Sequence, residues 1–324
     1  MPNARRILTT EYFPKRAAWV ANAEMIDPAR HSIPGRLWTL LRRAPDHEVV
    51  VLNGSGHDEQ LAAILLRRLR PTIPLLLTDC TWKLEASSAG RALTRLGIRL
   101  LDGPRTHYCV LSSAEQRRFP TTWGVDPERV FVTPWYIGLS DEEARAPISE
   151  GGSVFSGGDS MRDYRALIEA ARAVPFEVRI ATRLAPPVSE SELPGNVTLG
   201  PVPPDEYFRM MCDASVVVVS LAADTERSAG QNNYLNPMAL GKLVVVSDTI
   251  GVREYVEDRE TGLIVPSGDS RALEATLRWA FDPANADEVR EIAANGQREV
   301  MERFDPDGYV DRLLEIVDQV APES

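Results

Sequence analysis

The chain has 324 residues, 44% of them hydrophobic and 26% charged, which excludes a disordered, collagen-like or coiled-coil protein. Acids outnumber bases 47 to 36 for a net charge of −11, unevenly spread: residues 1–150 hold 20 bases against 17 acids (+3), the remainder 16 against 30 (−14). That balance excludes a general nucleic-acid binder, because phosphate contact requires a basic face, and it leaves a mildly basic N-terminal half able to meet an anion.

Short apolar runs alternate with amphipathic stretches along the whole chain. Glu48–Leu52 is a nearly continuous apolar run, as a strand covered on both faces requires. It ends in the loop Asn53-Gly54-Ser55-Gly56, and Asp58–Leu69 then places apolar residues at helical spacing. Ile73–Leu77 is predicted as the next strand, Ala86–Leu96 as a helix and Thr106–Leu111 as a strand. Ser112 and Ser113 open a helix with Glu115 in its first turn, and Val130–Thr133 is a strand.

The polar stretch Ser140–Gly152, with a proline and two glycines, is the expected linker. The alternation restarts with strand Ser153–Ser156, helix Asp163–Ala173 and strand Val178–Ala181. Helix Pro204–Met211, the β-branched strand Val216–Ser220, helix Asn233–Leu240 and strand Leu243–Val246 follow. Helices Ser270–Phe281, Ala286–Arg303 and Gly308–Val320 end the chain. The expected fold is α/β: two doubly wound, Rossmann-like parallel-sheet domains facing each other across a cleft. The expected domains are residues 1–145 and 146–304, with 305–324 a C-terminal helix returning to the first.

Cys80, Cys109 and Cys212 are too scattered for a disulfide framework or a zinc site and are expected to be buried free thiols. The N-terminus has bases but no apolar run of the secretory type, and no run approaches the roughly 18 apolar residues of a membrane span, so a cytoplasmic protein is expected. Arg5, Arg6, Lys15 and Arg16 form the one basic cluster on which peripheral membrane association could rest. The glycosylation sequons at Asn53 and Asn196 are taken as chance matches.

In open α/β sheets ligands bind at the carboxyl ends of strands, so the loops after strands hold the candidate chemistry. Gly230, Gln231 and Asn232 precede a helix whose free N–H groups suit a diphosphate. Gly157 follows a strand, and Arg162 either forks onto phosphate oxygens or pairs with Asp159 or Asp163. On the N-terminal half, His57 suits polarisation of a hydroxyl, and Asp79, Trp82 and Lys83 combine a carboxylate, an aromatic ring and a cation for a polar ligand. The alternative for these three is a strand-to-helix connection with a packed tryptophan. No phosphate-binding P-loop, strand-linked G-x-G-x-x-G, G-x-S-x-G or H-E-x-x-H motif occurs, and a metal-independent reaction is the simpler expectation.

The segments SVFSGGDSMRDYRALIEA, NVTLGPVPPDEYFRMMCDASVVVVS and MALGKLVVVSDTIGVREYVEDRETGLIVPSGD resemble the donor domain of GT-B glycosyltransferases of family 4, the retaining "group 1" enzymes. The resemblance covers about residues 151–315 closely and the N-terminal half more weakly, through CVLSSAEQRRFPTTWGVDPERVFVTP. It implies a GT-B fold and transfer, with retention of configuration and without a metal or other cofactor, from a nucleotide-diphospho-sugar co-substrate. The implied acceptor is a small molecule, a glycan or a lipid-linked sugar.

The resemblance also implies that Gly230, Gln231 and Asn232 hold the diphosphate, with Arg162, and Arg183 beside it, facing its charge. The family carries two glutamates separated by seven residues, for donor sugar and ribose. These positions fall on Ser228 and Asn236 here, with Glu226 nearby as a replacement. His57 or Asp79 would orient the acceptor hydroxyl. Loss of both glutamates leaves a second reading open, a catalytically inactive subunit that binds or stabilises a partner glycosyltransferase.

Overall fold

The computed structural model describes residues 6–27, 29, 31–83, 87–149, 151–223 and 225–321; Arg5 and Ala86 lie outside them. Two compact units result, one drawing on the chain up to Pro134 and from Asp307 onward, the other on Trp135–Pro306.

The first unit contains β1 (Ile7–Thr9), α1 (Ala17–Asn22), β2 (Ala23–Met25), α2 (Ile33–Arg43), β3 (Val49–Asn53), α3 (His57–Leu69), β4 (Leu75–Thr78), α4 (Ser88–Leu101), β5 (Thr106–Val110), α5 (Ser113–Trp123) and β6 (Val130–Val132). Its strands form one parallel sheet in the order β2-β1-β3-β4-β5-β6. Val49, Val50, Val51 and Leu52 are wholly buried, because helices cover both faces of a parallel sheet. Ser112 caps α5 by accepting from the Glu115 N–H at 3.1 Å, as its sequence position indicates.

The second unit contains β7 (Val154–Gly157), α6 (Tyr164–Ala171), β8 (Val178–Ala181), β9 (Val197–Gly200), α7 (Pro204–Asp213), β10 (Val216–Val219), α8 (Gln231–Ala239), β11 (Leu243–Asp248), β12 (Leu263–Pro266), α9 (Ser270–Ala280) and α10 (Ala286–Arg303). Its sheet is also parallel, in the order β12-β11-β10-β7-β8-β9, and Val216–Val219 pair in register with Leu243–Val246. The last helix, α11 (Pro306–Val320), lies with the first unit from Asp307, where Arg312 Nε donates to the Val132 carbonyl at 3.1 Å and Tyr309 packs edge-on to Phe13.

The division falls at Pro134, earlier than the expected boundary after residue 145. The stretch Ser140–Gly152 is not a free linker. It belongs to the second unit, where Lys242, 4% exposed, donates to the Ser149 carbonyl at 2.6 Å and the Gly151 N–H to that of Asp213 at 2.9 Å. The three cysteines are free and buried, as expected. No helix among the described residues is long and apolar enough to cross a membrane.

Both sequon asparagines have structural work. Asn53 Nδ2 donates to Glu11 at 3.3 Å. Asn196 Nδ2 lies 2.9–3.0 Å from the carbonyls of Ala171, Val174 and Phe176, tying the end of α6 to the start of β9. Asn196→Ala leaves those carbonyls without their donor, and urea denaturation is expected to show a loss of about 1–3 kcal/mol.

Candidate functional site

The strand orders place a topological switch point in each unit, between β1 and β3 in the first and between β7 and β10 in the second. Open parallel sheets bind ligands at such points, because the loops after the two strands part to opposite faces. In the second unit, the end of β7 and the loop after it carry Gly157 to Arg162 and the loop after β10 carries Glu226 to Gly230, so these sequence-derived residues share one switch point, while Arg183 follows β8.

Arg162 is the centre of this site. Its Nε donates to the Gly157 carbonyl at 3.0 Å and Nη1 to the Ser160 carbonyl at 2.6 Å. Among the described residues it has no carboxylate partner, and burial lowers its pKa from the usual arginine value. The two acids that could neutralise it are occupied. Asp159 accepts from Arg183 Nε at 2.6 Å and from the Thr182 hydroxyl at 2.9 Å, while Asp163 caps α6 through the Ala166 N–H at 3.2 Å. Arg183, with its side chain 83% exposed, is thus held by Asp159 rather than presented as a free cation.

The glycines around Arg162 are required by close approach. A Cβ at Gly157 would run into the Tyr207 ring, and one at Gly158, at φ +106°, into the Arg162 guanidinium. Gly230, at φ +85°, is the N-cap of α8 and offers no side chain to its first N–H groups, so the helix N-terminus stays open to an anion. A Cβ at Gly230 would lie 3.7 Å from Arg162 Nη1, which sets the guanidinium beside that terminus. Gln231, 6% exposed, has a buried Nε2 with no partner among the described residues.

Other expected donor residues stand differently. Asn232 Oδ1 accepts from the Trp135 indole N–H at 2.6 Å, and Asn236 Oδ1 from the Gly138 N–H at 2.8 Å, so both amides fasten the segment 135–138. Ser228 is 1% exposed and does not present its hydroxyl at the surface. Glu226 is half-buried and has no ion pair among the described residues. Sequence reasoning missed Asn233 and Tyr207. Asn233 Nδ2 donates to the Gly157 carbonyl at 3.2 Å, and its Oδ1 accepts from the Tyr207 hydroxyl at 2.9 Å. Burial pushes the Tyr207 phenol up to about 12, so it stays a donor. Arg227, also missed, reaches the Ser160 hydroxyl at 2.9 Å.

In the first unit, His57, Trp82 and Lys83 come together on the wall of one cavity, of about 630 Å³. Asp79 does not line it; it is half-buried and strained at φ +46°. Trp82 is 7% exposed, its indole N–H donates to the Gly54 carbonyl at 2.8 Å, and it packs against Tyr108, Phe119 and Trp123. It is a core residue with one edge on the cavity, not an open stacking platform.

At the first switch point lie two carboxyls that the sequence did not mark. Glu11 accepts from the Thr78 hydroxyl and from Asn53, and burial raises its pKa against those bonds. Burial, with Glu11 and Asp58 nearby, pushes Glu59 up to about 7. No group of three or more His, Cys, Asp or Glu placed to hold a metal occurs among the described residues.

Residues 164–282 match the family described as Glycosyl transferases group 1. No curated protein sequence matches the chain. A glycosyltransferase from Rickettsia africae is similar in structure, with 11% identity and a TM-score of 0.65 over 98% of this chain and 90% of that one. HepE of Anabaena, solved in complex with UDP-glucose, is 14% identical with a TM-score of 0.70, over 97% and 99% of the two chains. Sucrose-phosphate synthase from Thermosynechococcus elongatus is 18% identical with a TM-score of 0.66, over 95% and 80%. These likenesses establish the fold as that of the GT-B glycosyltransferases, as the resemblance in the sequence implied.

A carboxyl whose pKa is raised by folding favours the folded state most at low pH. The contribution of Glu59 is complete below its ordinary value of 4.5 and is lost as pH rises through about 7. The denaturation midpoint of the wild type is therefore expected to fall across that window relative to Glu59→Gln, which loses the dependence. A difference between the two chains that does not change with pH contradicts the assignment.

Proposed function

We propose that the chain is a glycosyltransferase that moves a sugar from a nucleoside-diphospho-sugar to an acceptor hydroxyl, with retention of configuration and without a metal. The observation that carries this reading is the Arg162 guanidinium, partly buried, free of carboxylates among the described residues and set beside the open N-terminus of α8. The match of residues 164–282 to the group 1 family supports it. HepE was solved with UDP-glucose, with UDP, and with UDP and glucose, which makes uridine donors the first to test here.

As the bond from the sugar to the diphosphate breaks, negative charge grows on the leaving phosphate. In this reading Arg162 and the first N–H groups of α8 meet that charge from fixed positions, so no reorganisation is needed as it develops. Asn233, itself fixed by the Tyr207 hydroxyl, holds the Gly157 carbonyl and with it the Arg162 anchor. Gln231 Nε2, without a partner among the described residues, is the further donor for the diphosphate. Retention follows if the leaving phosphate takes the acceptor's proton on the face it departs from, so that the protein supplies no base.

A second reading has its own observation. Ser228 is buried and the Asn236 oxygen is bound to Gly138, so neither position assigned to a family glutamate offers a carboxylate. That favours a non-catalytic subunit which stabilises a partner transferase. Calorimetric titration with UDP, GDP, ADP, CMP and dTDP separates the two. Binding of one nucleotide by the wild type, with Arg162→Ala lowering kcat/KM about 10²–10³-fold on the matching donor, is expected of the enzyme. Binding of none, with a transferase as co-purifying partner, overturns it.

A further inference from the structure

We propose that the outer face of the helices α2, α3 and α4 of the first unit docks onto an anionic lipid surface, its exposed leucines entering the acyl boundary and its arginines meeting lipid phosphates. The proposal goes beyond the transferase reading and does not rest on it.

In the order β2-β1-β3-β4-β5 the steps from β2 to β3, β3 to β4 and β4 to β5 all run the same way. Right-handed crossovers therefore put α2, α3 and α4 on one face of the sheet, and α3 packs on both of its neighbours. Ten large hydrophobic side chains are exposed among the described residues, and six of them belong to this layer. They are Ile33 and Trp38 on α2, Leu61 and Leu69 on α3, and Leu93 and Leu96 on α4. Single exposed apolar residues are ordinary, but six on three adjoining helices are a concentration.

The charge of the layer is as one-sided. These three helices carry eight arginines and two acids, in a chain whose net charge is −11. Both acids open α3, where Asp58 pairs with Arg36 and Glu59 is half-buried. Arg42, Arg68, Arg95 and Arg99 are exposed and have no ion pair among the described residues.

On α4 the two chemistries are laid out in order. The helix has no acid. Leu93, Leu96 and Leu100 follow at i, i+3 and i+7, and Arg91, Arg95 and Arg99 at i, i+4 and i+8, so an apolar and a basic stripe run along it. The buried positions, Ile98 and Leu101, face the sheet instead. Leu93 is 71% exposed and Leu96 52%, an apolar stripe left to solvent beside cations that no carboxylate neutralises. A nucleic acid would meet the arginines but offer nothing to the leucines. The interface of an anionic bilayer takes both in one plane, phosphates at the level of the guanidinium groups and acyl chains just below.

The basic cluster at the N-terminus does not serve in place of this face. Arg6 is paired with Glu48 and Asp318, and Arg16 with Asp307.

Co-sedimentation of the full chain with phosphatidylcholine vesicles, with and without about one-third phosphatidylglycerol, tests the proposal. Binding to the anionic vesicles alone is expected, and is expected to be lost between about 0.05 and 0.5 M NaCl as the charges are screened. Arg95→Gln with Arg99→Gln is expected to weaken it about twentyfold, and Leu93→Ser with Leu96→Ser about tenfold. All four side chains are exposed, so both variants are expected to keep a Tm close to that of the wild type. Matched changes on α10, Arg290→Gln with Arg298→Gln and Met301→Ser, are expected to leave binding nearly unchanged, which separates this face from net charge.

No binding to anionic vesicles at the lower salt overturns the proposal. So does binding that either α4 pair leaves unchanged, or that the α10 changes weaken as much. Self-association that Leu93→Ser with Leu96→Ser dissolves, without vesicle binding, overturns it as well, because the face is then an interface between copies of the chain. Vesicle binding that depends on α4, in a chain that takes no nucleotide, upholds the face and defeats only the transferase reading.

Discussion

A guanidinium drawn partly out of water, with no carboxylate partner among the described residues, sets the terms for the second unit's switch point. Removing a cation from solvent costs several kcal/mol unless polar groups replace its hydration. Here the carbonyls of Gly157 and Ser160 do so, and each must approach the charge closely. That demand explains why Gly157 and Gly158 have no side chains, why Tyr207 and Asn233 pin the end of β7, and why Asp159 and Asp163 are engaged elsewhere. Had either acid turned inward, the positive charge would be spent inside the protein. With no carboxylate partner among the described residues, it can meet an anion in the donor site proposed above, where α8 begins without a side-chain cap.

What the sequence made legible follows from burial. The strands covered on both faces, such as Val49–Asn53 and Val216–Val219, are apolar runs, and the alternation with helices fixes a parallel sheet. The missed strands Ala23–Met25, Val197–Gly200 and Leu263–Pro266 are all sheet edges, where one side of the strand lacks a neighbour and the apolar run breaks: Glu24 in the first, Thr198 in the second, a terminal proline in the third. Ile7–Thr9 is interior but only three residues long, too short for a period to show. At the site, the loops were legible and the partners were not. Arg162 stood out by type and place, whereas Tyr207 reaches Asn233, and through it the Gly157 carbonyl, from a different helix, and Trp82 has the same letter whether it stacks on a ligand or fills a core.

Charge sharpens the contrast between the units. With the boundary at Pro134 and α11 assigned to the first unit, that unit holds 20 bases and 18 acids, for +2, and the second 16 and 29, for −13. The unit that would hold a diphosphate is strongly acidic. Its net field repels an anion, so attraction falls to groups within a few ångströms, where a fixed guanidinium and helix N–H groups outweigh distant, solvent-screened carboxylates. The nearly neutral first unit instead keeps two carboxyls, Glu11 and Glu59, that burial drives towards the neutral form.

The amides of α8 show how one short helix serves several ends. Asn232 and Asn236 are four residues apart and so share a face; both oxygens accept from the segment 135–138, at the Trp135 indole and the Gly138 N–H. Asn233, one residue on, is turned by about 100° and reaches Gly157 and Tyr207 instead. Gln231, at the open end, has a buried amide nitrogen with no hydrogen-bond partner among the described residues. The asparagine at 236 is therefore not a vacant motif position. It is one half of a two-point attachment that holds the start of the second unit on α8. A carboxylate at 236 could accept the same N–H, but it would bring an uncompensated charge to an acidic unit, on the helix whose N-terminus is part of the proposed donor site. An amide makes the attachment and leaves that terminus, and Arg162 beside it, with their positive potential intact.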